Sequence, residues 1–201
     1  MDNIELARYY DDEKDRIITI TVSDYNKLIS DKDKEGISNF IYNRLFSRYI
    51  GPYSFDSCEY QKKFKNGFSM MANLCLLIET LQSFKNGWGD SDRRSKMAFN
   101  QFFYNNAHFE ELNKSADLIY KNVRCGILHQ GETTGGWKVT REGGSLYDNC
   151  TNTLNAVIFA ERIEKSLSDY RECLNDSDWD SEVWDNFRTK MRKVIQNCEA
   201  K

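Results

Sequence analysis

Ile119-Tyr120-Lys121-Asn122-Val123-Arg124-Cys125-Gly126-Ile127-Leu128-His129-Gln130-Gly131-Glu132 decides how this chain is read. It is an apolar helical segment carrying an arginine and, five residues on, one of only two histidines in the chain. Arginine is a permanent cation whose planar donor fork suits phosphate. Histidine takes and gives a proton near neutrality. Five residues at about 100° each set the two roughly 140° apart around a regular helix, with a rise of about 7.5 Å. They do not share a narrow face, as i and i+4 residues do. Gly126 and Gly131 loosen or end the helix here. The pair therefore either converges where the helix frays, or each side chain meets a partner from another helix or another chain. An arginine and a histidine at a helix end also serve simply to neutralise the last carbonyls and the helix dipole.

Working outward, the chain of 201 residues fits one domain with appendages, and 40% apolar residues supply a core. A single proline, Pro52, permits long helices. Residues 1–15 are charged and read as loosely held. Arg16–Val22 is β-branched and reads as a strand, and Asp31–Gly36 as a solvated break. Helices are expected over 37–50, stopped by Gly51-Pro52, and over about 58–85, capped by Asp56 or Ser57. Phe64, Phe68, Met71, Cys75, Ile78 and Phe84 line the second of these at helical spacing. Further helices are expected over 92–106, 110–128, 150–173 and 180–198. Gly136–Arg141 and Ser145–Tyr147 read as a hairpin about Glu142-Gly143-Gly144. The fold class is mainly α: a helical bundle over 37–201 with a hairpin insertion at about 136–148, preceded by an extension, 1–36, with a short strand. The alternative is α+β, with strands 16–22 and 137–147 in one sheet.

The net charge of −3 argues against general nucleic-acid affinity, so any RNA contact has to be local. The six cysteines are widely spaced, form no C-x-x-C pair and suggest no zinc site. The opening Met1–Tyr10 lacks a signal-peptide pattern, which points to a cytoplasmic protein with reduced thiols. The apolar run Met70–Ile78 is too short to span a bilayer, so no membrane association is expected.

The motif and its setting resemble the HEPN superfamily, whose signature is an arginine, four to six residues, then a histidine, late in a helical bundle. The resemblance covers about residues 37–175. It implies a metal-independent endoribonuclease of toxin–antitoxin or antiviral defence type, with Arg124 and His129 catalytic and no cofactor. The implied partners are RNA, a second copy of the chain with the motifs facing across the two-fold axis, and an antitoxin or defence-system protein. Such a dimer also answers the 140° separation. The chain departs from the family at Cys125, where Asn, Asp or His often follows the arginine. It departs again at Gly131, where some relatives carry a regulatory tyrosine, so nucleotidylation is not expected.

Supporting substrate contacts are read at Lys121 and Asn122, which flank the motif, with ordinary helix surface as the alternative, and at Lys138 and Arg141 on the hairpin, with a solvated strand edge as the alternative. Glu79 follows the apolar run; the resemblance to HEPN bundles, which can place a polar residue there facing the motif, implies that it orients Arg124 among the substrate-binding residues, and a surface or local-pair role is the alternative. Arg93, Arg94 and Lys96 form the clearest basic cluster outside the motif, at what reads as a solvated helix start. Trp137 packs the hairpin or stacks on a base. Phe99, Phe102 and Phe103 read as core, and His108 is given no role.

Overall fold

The structure, a computed structural model, describes residues 4–11, 13–53 and 66–198. It is mainly helical with short strand pairs. The chain divides into two compact units. One comprises Met1–Arg48, Ser83–Asp90 and Leu167–Lys201, the other Tyr49–Gln82 and Ser91–Ser166.

In the first unit, β1 (Glu5–Asp11) and β2 (Arg16–Thr21) form an antiparallel ribbon, with Tyr10 opposite Ile17. The expectation of a loosely held N-terminus is therefore corrected: Leu6 and Ala7 are fully buried and anchor β1. The ribbon is a sheet of its own, which excludes the α+β alternative in which strand 16–22 joins the later strands. A helix not anticipated from the sequence, α1 (Val22–Ser30), follows at once. Thr21 accepts from the Asp24 backbone N–H, and Asp24 accepts in return from the Thr21 N–H, a reciprocal cap. α2 (Lys34–Tyr49) buries Ile37, Phe40, Ile41 and Leu45. The last helix, α8 (Glu182–Cys198), buries Trp184, Phe187 and Met191, and the Phe187 ring lies 5.8 Å from that of Phe84.

α3 (Gly67–Lys85) runs through residues of both units. It starts later than the sequence suggests, because Asn66 is outside it; the caps expected at Asp56 and Ser57, and Phe64, lie outside the described residues. In the second unit its buried residues Met71, Leu74, Cys75, Ile78 and Leu81 belong to the core, as do Phe99, Phe102 and Phe103 of α4 (Ser95–Tyr104). Phe109 joins them, 5.2 Å from Phe102 and 5.0 Å from Phe159, in edge and tilted ring contacts.

The helix expected over 110–128 is a composite. A 3₁₀ stretch, Ala107–Ser115, leads into one α-turn, α5 (Ala116–Ile119), then a π-turn, Tyr120–Arg124, then α6 (Cys125–Gln130). The expected hairpin does not form. β3 (Lys138–Thr140) and β4 (Tyr147–Asp148) flank a third strand, β5 (Thr153–Asn155), parallel to β3 and antiparallel to β4. Residues 150–155, expected to be helical, form a turn and this strand. The reason is Asn155, which is 2% exposed. Its Oδ1 accepts from the N–H of Val157 and of Ile158, which starts α7 (Ala156–Asp176) at Ala156. Its amide nitrogen donates to the carbonyls of Glu142 and Gly143, which ties the glycine turn down. Trp137 is buried and stacks on Tyr147 at 5.4 Å, so it packs the small sheet.

Candidate active site

The π-turn opens the chemistry. The Cys125 N–H reaches back to the Tyr120 carbonyl, five residues away, instead of four. Loop 131–137 then folds against this same turn. Asn122, expected as a substrate contact, is instead buried: its carbonyl accepts from the Thr134 N–H at 2.9 Å and its Oδ1 from the Thr134 hydroxyl at 3.0 Å. Two glycines make the approach feasible. A Cβ on Gly126 would lie 2.6 Å from the Glu132 carbonyl oxygen, and one on Gly135, at φ +62°, 2.7 Å from Asn122 Oδ1. Gly131 ends α6 in the left-handed conformation, φ +68°.

Arg124 leaves the π-turn toward α3. Its Nε donates to Glu79 Oε1 at 2.8 Å, and its Nη2 lies 2.8 Å from the same oxygen. The other oxygen of Glu79 accepts from Ser95 Oγ at 2.7 Å and from Ser91 Oγ at 3.0 Å. Both carboxylate oxygens are thus engaged, as a buried carboxylate requires. The Tyr120 ring lies 5.7 Å from the guanidinium. Burial alone would lower the Arg124 pKa, but the charge and hydrogen bonds of Glu79 outweigh it and leave it raised. Cys75, fully buried nearby, has its thiol pushed up to about 12 by burial, so it is an inert thiol at neutral pH.

The end of the guanidinium turned away from Glu79, Nη1, lies 3.4 Å from His129 Nε2. The sequence reading set these side chains about 140° apart on a regular helix. The structure instead brings them together within one chain. Cα–Cβ bonds tilt toward the helix N-terminus, so the exposed His129 leans back toward Arg124, and the long arginine closes the rest. For Nη1 to donate to it, Nε2 must be the unprotonated nitrogen, with the hydrogen on Nδ1.

Of the residues read from the sequence, Glu79, Arg124 and His129 form one connected chain of contacts. Lys121 is exposed on the π-turn and Lys138 on β3. Arg141 is half-buried, with its stem beside Gly67. In the basic cluster, Arg93 pairs with Asp92 and Lys96 with Asp117. His108 gives its backbone carbonyl to Arg162. Ser91, Ser95 and Tyr120 were not singled out from the sequence. Ser91 precedes the turn that leads into α4 and Ser95 opens that helix, and nothing local in the sequence marks either as a partner of Glu79.

Among the described residues no group of three or more His, Cys, Asp or Glu is arranged to hold a metal, and no helix is long and apolar enough to cross a membrane. Comparison with protein-family models, with curated proteins and with solved structures finds no match to this chain.

Proposed function

We propose that the chain is a HEPN-like endoribonuclease that cleaves RNA without a metal, through Arg124 and His129. The observation that carries this reading is the 3.4 Å approach of a clamped arginine to an exposed histidine. An RNA phosphate seated on Nη1 takes over that donor and releases His129 Nε2. The freed nitrogen removes the proton from the ribose 2′-hydroxyl, whose oxygen attacks the adjacent phosphorus. Arg124 offsets charge developing on the phosphate oxygens. The P–O5′ bond breaks as the 5′-oxygen takes a proton from an imidazolium, that of His129 or of its copy on a second chain, and the products are a 2′,3′-cyclic phosphate and a 5′-hydroxyl. DNA, lacking the 2′-hydroxyl, is not a substrate. The setting implied by the family resemblance is bacterial defence or toxin–antitoxin control in the cytoplasm, with a homodimer as the working form. A second copy can add the acid for the leaving group, although one chain already supplies the arginine–histidine contact.

The test is cleavage of unpaired RNA by the purified chain, with chelator present, and end-group analysis of the products. His129→Ala is expected to lower the rate roughly 10²–10⁴-fold. Undiminished cleavage by that variant would sink the reading.

The engagement of Nε and Nη2 by Glu79 favours a second reading, a non-catalytic module that holds phosphate through Nη1 alone. RNA binding that depends on Arg124, with no cleavage of any RNA, would identify it.

A further inference from the structure

A cavity of about 520 Å³ opens between α4 and the segment leading into α5. Its size falls in the range of small-molecule sites. Its lining is unusual in chemistry: four side-chain amides, Asn100, Gln101, Asn105 and Asn113, with Tyr104 and Lys114. Tyr104 is 79% exposed, the most exposed large apolar or aromatic side chain among the described residues. Asn113 Oδ1 is buried and has no hydrogen-bond partner. Asn100 donates to the Asp117 carboxylate, which also pairs with Lys96 at 3.1 Å, so this wall of the cavity is held in place. Asp117 lies seven residues before Arg124 on the same helical run, about 10 Å along its axis.

We propose that this cavity is a nucleobase subsite, which receives an unpaired base of the RNA strand whose phosphate meets Arg124; it rests on the ribonuclease reading above. Unpaired bases are recognised by stacking on aromatic rings and by hydrogen bonds to their polar edges. Tyr104 supplies the ring. The amides supply paired donors and acceptors that match base edges. Lys114 supplies a cation for the attached phosphate.

The experiment is amide NMR on the ¹⁵N-labelled full chain carrying His129→Ala, so that no cleavage intervenes. AMP, CMP, GMP, UMP and a 2′-O-methyl hexanucleotide are titrated separately. The side-chain NH₂ signals of Asn100, Gln101 and Asn113 are expected to move with each mononucleotide. The hexanucleotide is expected to saturate them at lower concentration. Tyr104→Ala, an exposed position that should leave the fold intact, is expected to weaken binding roughly tenfold. Unmoved amides, or movements unaffected by Tyr104→Ala, would overturn the subsite. So would mononucleotides that saturate it while the hexanucleotide stays out, which would make it a site for free nucleotides. The two readings fail separately. Base binding here by a wild-type chain that cuts no RNA removes the ribonuclease reading alone. His129-dependent cleavage with silent amides removes the subsite alone.

Discussion

Glu79 holds Arg124 across 45 residues of sequence through one oxygen that receives both Nε and Nη2, each at 2.8 Å. The side chains are 7% and 15% exposed, so this is an ion pair largely removed from water. Its value lies less in net stability than in orientation, because desolvation offsets much of the attraction in such pairs. With the fork fixed, Nη1 has one direction to point, and His129 lies along it.

Removing one partner of this pair is expected to be costly. Glu79→Ala strands the guanidinium and frees Ser91 and Ser95 of their acceptor. A loss of roughly 3 kcal/mol in unfolding free energy follows, at the low end for a buried pair because the arginine retains some access to water. Glu79→Gln keeps one acceptor oxygen and should lose less. Urea titrations of the three proteins measure this. Equal stability of wild type and Glu79→Ala would show that Arg124 finds another partner.

The legible parts of this fold were those with a strong period. Met71, Cys75 and Ile78 mark α3 because an apolar stripe has to recur at helical spacing to be buried. β1 was illegible because Glu-Leu-Ala-Arg-Tyr-Tyr-Asp neither alternates nor lacks charge; only its pairing with β2 makes it a strand. The third strand was hidden because Leu154 and Asn155 continue smoothly into a helical pattern, and a single capping side chain moves the boundary. At the site, Glu79, Arg124 and His129 were legible by residue type. The contact between Arg124 and His129 was not, since it depends on side-chain reach and on a π-turn that residue spacing does not disclose. Asn122 was misjudged because a polar residue beside a motif reads as a ligand contact, whereas here it pins the return loop.

Acid should weaken the fold. Asp24 is held below its ordinary value of 3.8 by the backbone and hydroxyl hydrogen bonds of Thr21. Asp148 is lowered by Thr151 and the Cys150 N–H, Asp11 by Lys14, and Asp117 by Asn100 and Lys96. Each depressed carboxyl binds its proton more readily in the unfolded chain. Its contribution is therefore present above about 3.8 and is lost as pH falls through the lower folded value. Tm should be steady from pH 7 to 5 and drop between pH 4 and 3. Asp24→Asn removes one titrating group, so its deficit against wild type should shrink as the pH falls below about 4. A deficit constant with pH would contradict this account of the cap.

Asn155 offers a test of the small sheet. Asn155→Asp keeps an oxygen for the N–H groups of Val157 and Ile158 but turns the other atom from donor to acceptor. The carbonyls of Glu142 and Gly143 would then face a carboxylate within 3.2 Å. Asp is ordinarily as good a helix cap as Asn. Here it should cost about 2 kcal/mol or more, from two lost hydrogen bonds and the repulsion that replaces them. Asn155→Ser, which keeps a cap without the charge, should cost less. If Asp proves neutral by urea titration, the tie to the glycine turn does not contribute.

Gly126→Ala bears most directly on the site. In an ordinary helix interior this change stabilises by up to about 1 kcal/mol. At Gly126 the added Cβ would lie 2.6 Å from the Glu132 carbonyl oxygen and 3.3 Å from Thr133 Cα, both parts of the backbone. No rotamer relieves such a contact, so the return loop must move away, at a cost of about 1–3 kcal/mol. That movement pulls on Thr134, on its two bonds to Asn122 and thus on the turn that aims Arg124. The variant is expected to be less stable by urea titration and to shift the His129 imidazole NMR signals, although it touches neither side chain. Gly144→Ala is the control, since nothing lies within 4 Å of its Cβ and its φ is not in the left-handed range. It should be neutral or slightly stabilising through the unfolded state. If Gly126→Ala behaves like Gly144→Ala, the close packing of the return loop on the motif helix is not what holds Arg124 and His129 together.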